Sequence, residues 1–391
     1  KKKLAIFTPL PPTKSGISDY SVEIGSELFK SIDVTYVIDD MAPTPIGIDE
    51  NITILRYSRW VLTDQSKYVC FHQMGNNTAH KFSWRELLSN PGFVLLHDIS
   101  LHHLFLEISY ENDILYRLYF NHIAKEMGTT GSSLLSNIHR GLYIPELFKF
   151  IIRANNQIID NSLGVVVHSE SAYDEIKISH PKKKLLHLPF PYKEVENTNH
   201  SKEADGLIKK NFIISSFGFV TPSKQIEFIL EALSRSRDKL PNFKYLIVGE
   251  VHDQSSNSII SKIRSLNLED VVTITGFTDL KQFHNYIEMS DLIVTLRYPS
   301  AGESSAVLLR ALGQGKANVV FDYESFSGFP DNVVYKIPLD TYNTGYLERA
   351  IIKFANNKRF KRKYEIEAKK HIANNHNIKD VAQKLISFLR V

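Results

Sequence analysis

Cysteine is almost absent: Cys70 stands alone in 391 residues. No intrachain disulfide can form, so a reducing compartment is expected, and cytoplasm is the first choice. Long apolar runs are missing too, and no stretch approaches the roughly 20 residues that span a bilayer. The opening KKKLAIFTPLPP imitates a secretory signal, but its apolar run ends at Pro9, Pro11 and Pro12 and reads better as a first strand. Nor is there a strong charge of either sign. Lys and Arg number 47 against 43 Asp and Glu, a net charge of +4. That permits contact with phosphate-bearing small molecules or an anionic membrane, and falls short of a nucleic-acid-binding signature. A GxGxxG fingerprint is lacking, which weakens the case for a nicotinamide or flavin oxidoreductase. GQGK at Gly313 to Lys316 fails as a P-loop: its upstream glycine is missing and Ala317 stands where a magnesium-binding Ser or Thr belongs.

What is present is an ordinary globular composition, 43% hydrophobic and 23% charged, on a chain long enough for two domains. Short apolar runs alternate with helical patterns, the sequence form of parallel strands covered by helices. In the first half these are KLAIFT, DVTYVID, YVCFHQ, GFVLLHD, LGVVVHS and KLLHLPF. In the second they are FIISSFG, FKYLIVG, VVTITG, DLIVTLR, ANVVFD and VVYKIP. The pattern predicts two open α/β sheets, in domains 1–195 and 206–391, joined where PYKEVENTNHSKEADG loses its apolar periodicity. Residues 102–156 are predicted to form a helical insert in the first domain. Its aromatics read as packing against the sheet, with a hydrophobic acceptor site or membrane-facing edge as the other reading. The end of the chain from Gly345 is helical and basic, most simply a solvated face.

Doubly wound sheets bind ligands beyond the carboxyl ends of their strands, so the residues there are the candidates. After the first strand, Ser15 and Gly16 precede a helix expected near Ile17 or Ser18. Gly16 allows close approach of a phosphate or sugar, and an ordinary capped turn is equally compatible. After GFVLL come His97 and Asp98, a pair suited to orienting a hydroxyl or moving a proton. His102 and His103 follow, but the spacing is not HExxH and completes no recognisable metal set. In SFGFVTPSKQIEFILEAL, Lys224 is read near a helix N-terminus, where a cation opposes the helix dipole; solvent exposure or an anionic ligand accounts for it. In PSAGESSAVLLRALGQGKANVVF, Glu303 stands beside Ser304 and Ser305 at a helix start. Such a start favours anions, and either serine is able to cap it internally.

Taken together, PPTKSGISDYS, GFVLLHD, LHH, FGFVTPSKQIEFILEAL, LIVGE and ITGFTDLKQFHNYIEMSDLIVTLRYPSAGESSAVLLRALGQGKANVV resemble, in order and over nearly the full chain, the family 4 glycosyltransferases. The resemblance implies the α/β GT-B fold, two Rossmann-like domains facing across a cleft. It implies a retaining enzyme that moves a sugar from a nucleotide-diphosphate donor, held mainly by the second domain, to an acceptor held mainly by the first. Lys224 then meets the donor diphosphate, Glu303 and the amides of Ser304 and Ser305 lie over the donor sugar and its phosphates, and His97 with Asp98 faces the reacting sugar or acceptor hydroxyl. Ser15, Gly16, Gly218, Phe219, Gly276, Phe277, Gly302 and Arg310 join the donor-binding set. No metal and no cofactor are implied, the nucleotide sugar being a substrate.

Two departures leave the donor nucleotide open. The family often has glutamates where Gly302 and Arg310 stand, and an arginine where Phe219 stands. The leading expectation is a cytoplasmic enzyme of surface polysaccharide or glycoconjugate synthesis, with a glycan or lipid-linked acceptor and peripheral membrane contact through the basic tail and aromatic insert. A catalytically silent GT-B subunit is the alternative, and a sugar-nucleotide epimerase of related fold a third. Nucleic acid is not an expected partner, and the oligomeric state is left open.

Overall fold

Strands covered by helices on both faces read as unbroken apolar runs, and the computed structural model shows each expected run as a strand. It describes residues 3–140, 147–194, 210–251 and 253–390. By internal contacts the chain divides into two units. One comprises Lys1–Pro191, Ala301–Ser304 and Ile378–Val391, the other Tyr192–Ser300 and Ser305–Asn377.

The first unit holds a seven-stranded sheet of β1 (Lys3–Phe7), β2 (Val34–Ile38), β3 (Thr53–Arg56), β4 (Tyr68–Met74), β5 (Phe93–Leu96), β6 (Gly164–Val167) and β7 (Leu185–His187). All neighbours are parallel, in the order β3-β2-β1-β4-β5-β6-β7. β3 was not among the expected strands. It lies at the sheet edge and its side chains are half-buried or exposed, so TILR never forms a long apolar run.

The second unit holds six parallel strands: β8 (Phe212–Phe217), β9 (Phe243–Val248), β10 (Val272–Gly276), β11 (Leu292–Val294), β12 (Ala317–Phe321) and β13 (Tyr335–Ile337). Their order is β10-β9-β8-β11-β12-β13. Helix Ile226–Ser236 buries Ile226, Ile229, Leu230 and Leu233 on this sheet, in one cluster with Ile214, Tyr245, Val294 and Val319.

The insert contains helices His102–Ser109, Asp113–His139 and Phe148–Ile151. Leu104, Phe105, Ile108, Tyr119 and Ile123 join the core over Val94, Leu96 and Val165, so these aromatics and aliphatics are packing residues. The chain end corrects the expected boundary. Helices Gly345–Asn356 and Lys358–Asn375 belong to the second unit as read, but the last helix, Ile378–Leu389, lies in the first. It packs on helix Gly16–Phe29, Lys184 Nζ donates to the Phe388 carbonyl at 2.6 Å, and the Phe388 ring meets Phe93 edge-on at 5.4 Å between centroids. The join read near 190–205 lies largely outside the described residues. Among those described, no helix is long and apolar enough to cross a membrane.

Candidate functional site

A parallel sheet offers its ligand crevice where the strand order reverses. In the second unit this is between β8 and β11, and a concavity of about 270 Å³, its open mouth included, lies there. Ser216 and Phe217 line it from β8, Val294, Thr295, Leu296 and Arg297 from the end of β11, Ser305 and Val307 from the following helix, and Lys224 from the loop. Ser216 is fixed by buried hydrogen bonds: its Oγ donates to the Val294 carbonyl at 2.9 Å and accepts from Tyr245 Oη at 2.9 Å.

Lys224 reaches this place by a route the sequence did not show. It is not on the helix but ends a single 3-10 turn, Pro222–Lys224, and Gln225, with φ +58°, separates it from helix Ile226–Ser236. Its Nζ turns back to the Phe217 carbonyl. Gly218, at φ +90°, makes room, since a Cβ there would fall 2.4 Å from Lys224 Nζ. Gly249 does the same one strand over: a Cβ would sit 2.2 Å from the Gly218 carbonyl oxygen. Gly249 was passed over in the sequence, although LIVGE carried it.

The helix after β11 begins at Ala306, with Ser305 as its cap accepting from Leu308 N at 3.2 Å. Glu303 therefore lies outside the helix, and one oxygen of its carboxylate accepts from Ala301 N at 2.8 Å. Gly302 has φ +74° between them. This corrects the expectation that the helix starts at Glu303. Arg310 is buried, five residues into helix Ala306–Gly313, and its charge acts on His284, whose pKa is pushed down to about 4, first by burial and then by Arg310. Gln314 Nε2 lies 2.5 Å from His284 Nδ1. Gly276, Phe277, Phe219 and Arg310 do not line the concavity; Phe277 is about half exposed, at 53%.

In the first unit the reversal lies between β1 and β4. Ser15 caps helix Gly16–Phe29 by accepting from Ile17 N at 3.2 Å, so the helix begins at Gly16, over which a Cβ would meet nothing within 4 Å. Both the capped turn and the space for close approach are present. His97 follows β5, is buried, and places Nε2 2.8 Å from Gln73 Oε1. Its ring packs edge-on to Tyr20 at 4.8 Å and lies 5.6 Å from His168. Asp98 accepts from Asn76 N at 2.8 Å. The same loop holds Ala301, whose carbonyl accepts from Ile99 N and Ser100 N at 2.8 and 2.9 Å. Thus one unit gathers His97, Asp98 and the Ala301–Ser304 loop with Glu303, while the other gathers Lys224, Gly218 and Ser305. His102 and His103 serve the insert, bonding Tyr119 Oη at 2.8 Å and Asn76 Nδ2 at 3.0 Å. Among the described residues no three His, Cys, Asp or Glu side chains are grouped to hold a metal ion.

Burial keeps several imidazoles neutral. The pKa of His97 falls well below 6.5, first by burial and then by His168 and His80. Burial takes His72 down to about 3 and His80 to about 4, and burial with the Lys125 charge takes His122 to about 4. In the unfolded chain these groups bind protons near pH 6.5, which the folded state refuses until lower pH. Their contribution is complete above pH 6.5 and is lost as pH falls toward the folded values, each at about 1.4 kcal/mol per pH unit. Melting temperature should drop steeply between pH 6.5 and 4; a melting temperature flat over that range would refute it.

Residues 197–371 match the family model of the glycosyl transferases group 1, a span that takes in the β8–β11 concavity. They are a group 1 glycosyl transferase domain. The chain as a whole has the GT-B fold of solved glycosyltransferases. It is similar to the sucrose-phosphate synthase of Thermosynechococcus elongatus, with a TM-score of 0.71 at 14% identity over 100% of this chain and 98% of that one. HepE of Anabaena, solved with UDP and glucose, gives 0.67 at 13% over 99% of each chain. WaaG, a glycosyltransferase involved in lipopolysaccharide biosynthesis, gives 0.62 at 13% over 99% of each. No curated protein matches the sequence. In the group 1 domain, the segments that suggested the family are those that build the glycine-lined turn, the Lys224 loop and the Ser305 cap.

Proposed function

We propose that the protein is a retaining glycosyltransferase that moves a sugar from a nucleotide-diphosphate donor to a glycan or lipid-linked saccharide, in surface polysaccharide or glycoconjugate synthesis. One observation carries the reading: within the group 1 domain, the Lys224 ammonium and the first turn of helix Ala306–Gly313 line one concavity. A cation and a helix N-terminus together suit the charge that develops on a departing nucleoside diphosphate. They take the part a metal ion takes elsewhere, so no metal and no cofactor enter. HepE, of the same fold, was solved with UDP and glucose. The Glu303 carboxylate, which meets Ala301 N, is an acceptor of the kind that sugar hydroxyls donate to. His97, neutral, accepts from the acceptor hydroxyl. Exposed Tyr110 and Ile114 on the insert and the basic face of Lys358–Asn375 suit contact with the cytoplasmic side of an anionic membrane.

The test is a panel of UDP, GDP and dTDP sugars. The true donor raises the melting temperature, and nucleoside diphosphate is released once acceptor is supplied, with the product keeping the donor's anomeric configuration by NMR. Stabilisation without any release of nucleoside diphosphate would instead identify a silent subunit, and isomerised free sugar nucleotide an epimerase.

Arg310 and Glu303 separate nucleotide from sugar recognition. Arg310→Ala should weaken nucleoside diphosphate binding, because a guanidinium donates to phosphate or a base carbonyl and cannot accept from ribose. Glu303→Ala should mainly weaken discrimination among donor sugars. Titration calorimetry decides: unchanged affinity in a stably folded Arg310→Ala protein removes Arg310 from the site and leaves it a helix support beside His284.

A further inference from the structure

A neutral imidazole carries one N–H, and the partner of one nitrogen decides what the other offers. His97 is such a ring, and its Nε2 partner is the side chain of Gln73, fully buried near the end of β4. The same amide oxygen receives Ser21 Oγ at 3.0 Å, and Ser21 Oγ lies 2.7 Å from Thr8 Oγ1. The backbone carbonyl of Gln73 lies 2.9 Å from His80 Nδ1. Gln73 is therefore held by Ser21 of helix Gly16–Phe29, itself bonded to Thr8 after β1, and through its backbone carbonyl by His80 of the turn after β4, a mount for an imidazole at the next strand end. A glutamine inside a covered strand is costly to bury, and the oxygen of this one faces His97 and Ser21, whose single hydroxyl proton is shared with the Ile17 carbonyl at 2.7 Å.

We propose that Gln73 is a positioning residue: its oxygen accepts the Nε2 proton of His97 and fixes the tautomer in which Nδ1 is bare and accepts from the acceptor hydroxyl. This rests on the role given to His97 above. The 2.8 Å separation suits N–H···O. The amide turned over would set two nitrogens at that distance and give the opposite tautomer, while supplying acceptors to Gln73 Nε2, which is buried without a partner. The tautomer thus reports the amide orientation directly.

The experiment is ¹⁵N NMR of the whole protein labelled in histidine, with His97→Ala to assign the signals. The wild-type protein should show His97 protonated at Nε2 and bare at Nδ1. Gln73→Leu should populate both tautomers and lower kcat about 10-fold, a part of what an acid–base group contributes, with nucleoside diphosphate affinity unchanged. Ser21→Ala, a milder change, should shift the same signals less and serves if Gln73→Leu does not fold. A wild-type His97 protonated at Nδ1, or a tautomer unchanged in Gln73→Leu, overturns the proposal. A tautomer that shifts while kcat stays at the wild-type value keeps Gln73 as the residue that orients His97 and overturns the role assigned to His97 itself.

Discussion

Lys224→Ala should give a folded protein whose turnover has fallen about 10²-fold, the order lost when one preorganised electrostatic contact to a developing charge is removed. The fold should survive because the side chain is no part of a core. It ends a short turn and makes a hydrogen bond to the Phe217 carbonyl, a contact worth about 1 kcal/mol or somewhat more for a charged donor. The space around Nζ is set aside for it, since Gly218 and Gly249 keep side chains out of the same corner. Chemistry should suffer more than binding, because the counter-charge matters most as the sugar–phosphate bond breaks and negative charge gathers on the diphosphate. Circular dichroism and a thermal melt establish folding, and nucleoside diphosphate release measures turnover. A folded Lys224→Ala protein with near wild-type activity would remove this loop from the donor site.

The same loop shows what a sequence conveys and what it withholds. Parallel strands are legible because burial on both faces leaves runs such as FIISSF and ANVVF without polar interruption. β3 escaped because an edge strand needs no such run. Helix starts were misplaced at Lys224 and Glu303 for one reason: a polar residue ahead of an apolar period looks like a first turn whether it is inside the helix or in the loop before it. At Lys224 the left-handed Gln225 makes the difference, and at Glu303 it is the cap two residues later, and neither backbone angle nor cap is written in the residue types. The last helix was given to the wrong unit because an amphipathic stripe shows that a face is covered, not which sheet covers it. Gln73 was legible in principle: His72 and Gln73, both fully buried, interrupt the apolar residues of β4, and a polar pair inside a covered strand asks for a partner. Arg310 posed the same question inside AVLLRALG, and its burial beside His284 is visible only in three dimensions.

His97→Ala should reduce transfer by 10²-fold or more, about what a positioned acid–base group supplies, while leaving donor affinity where it was. His97 stands at the end of β5 in the first unit, whereas Lys224 and the Ser305 cap stand in the second, so a nucleoside diphosphate held there loses nothing when the imidazole goes. Burial, then His168 and His80, hold His97 neutral well below pH 6.5, so it offers a lone pair to a hydroxyl throughout the neutral range, and no loss of activity is expected from its protonation as pH falls from 8 toward 6.5. Replacing the ring also releases Gln73, whose oxygen keeps only Ser21, so some loss of stability is expected and is separated from activity by melting each variant first. Calorimetry with nucleoside diphosphate and initial rates at saturating donor then divide binding from chemistry. If donor binding is abolished while turnover at saturating donor stays normal, His97 belongs to donor binding and not to the acceptor hydroxyl.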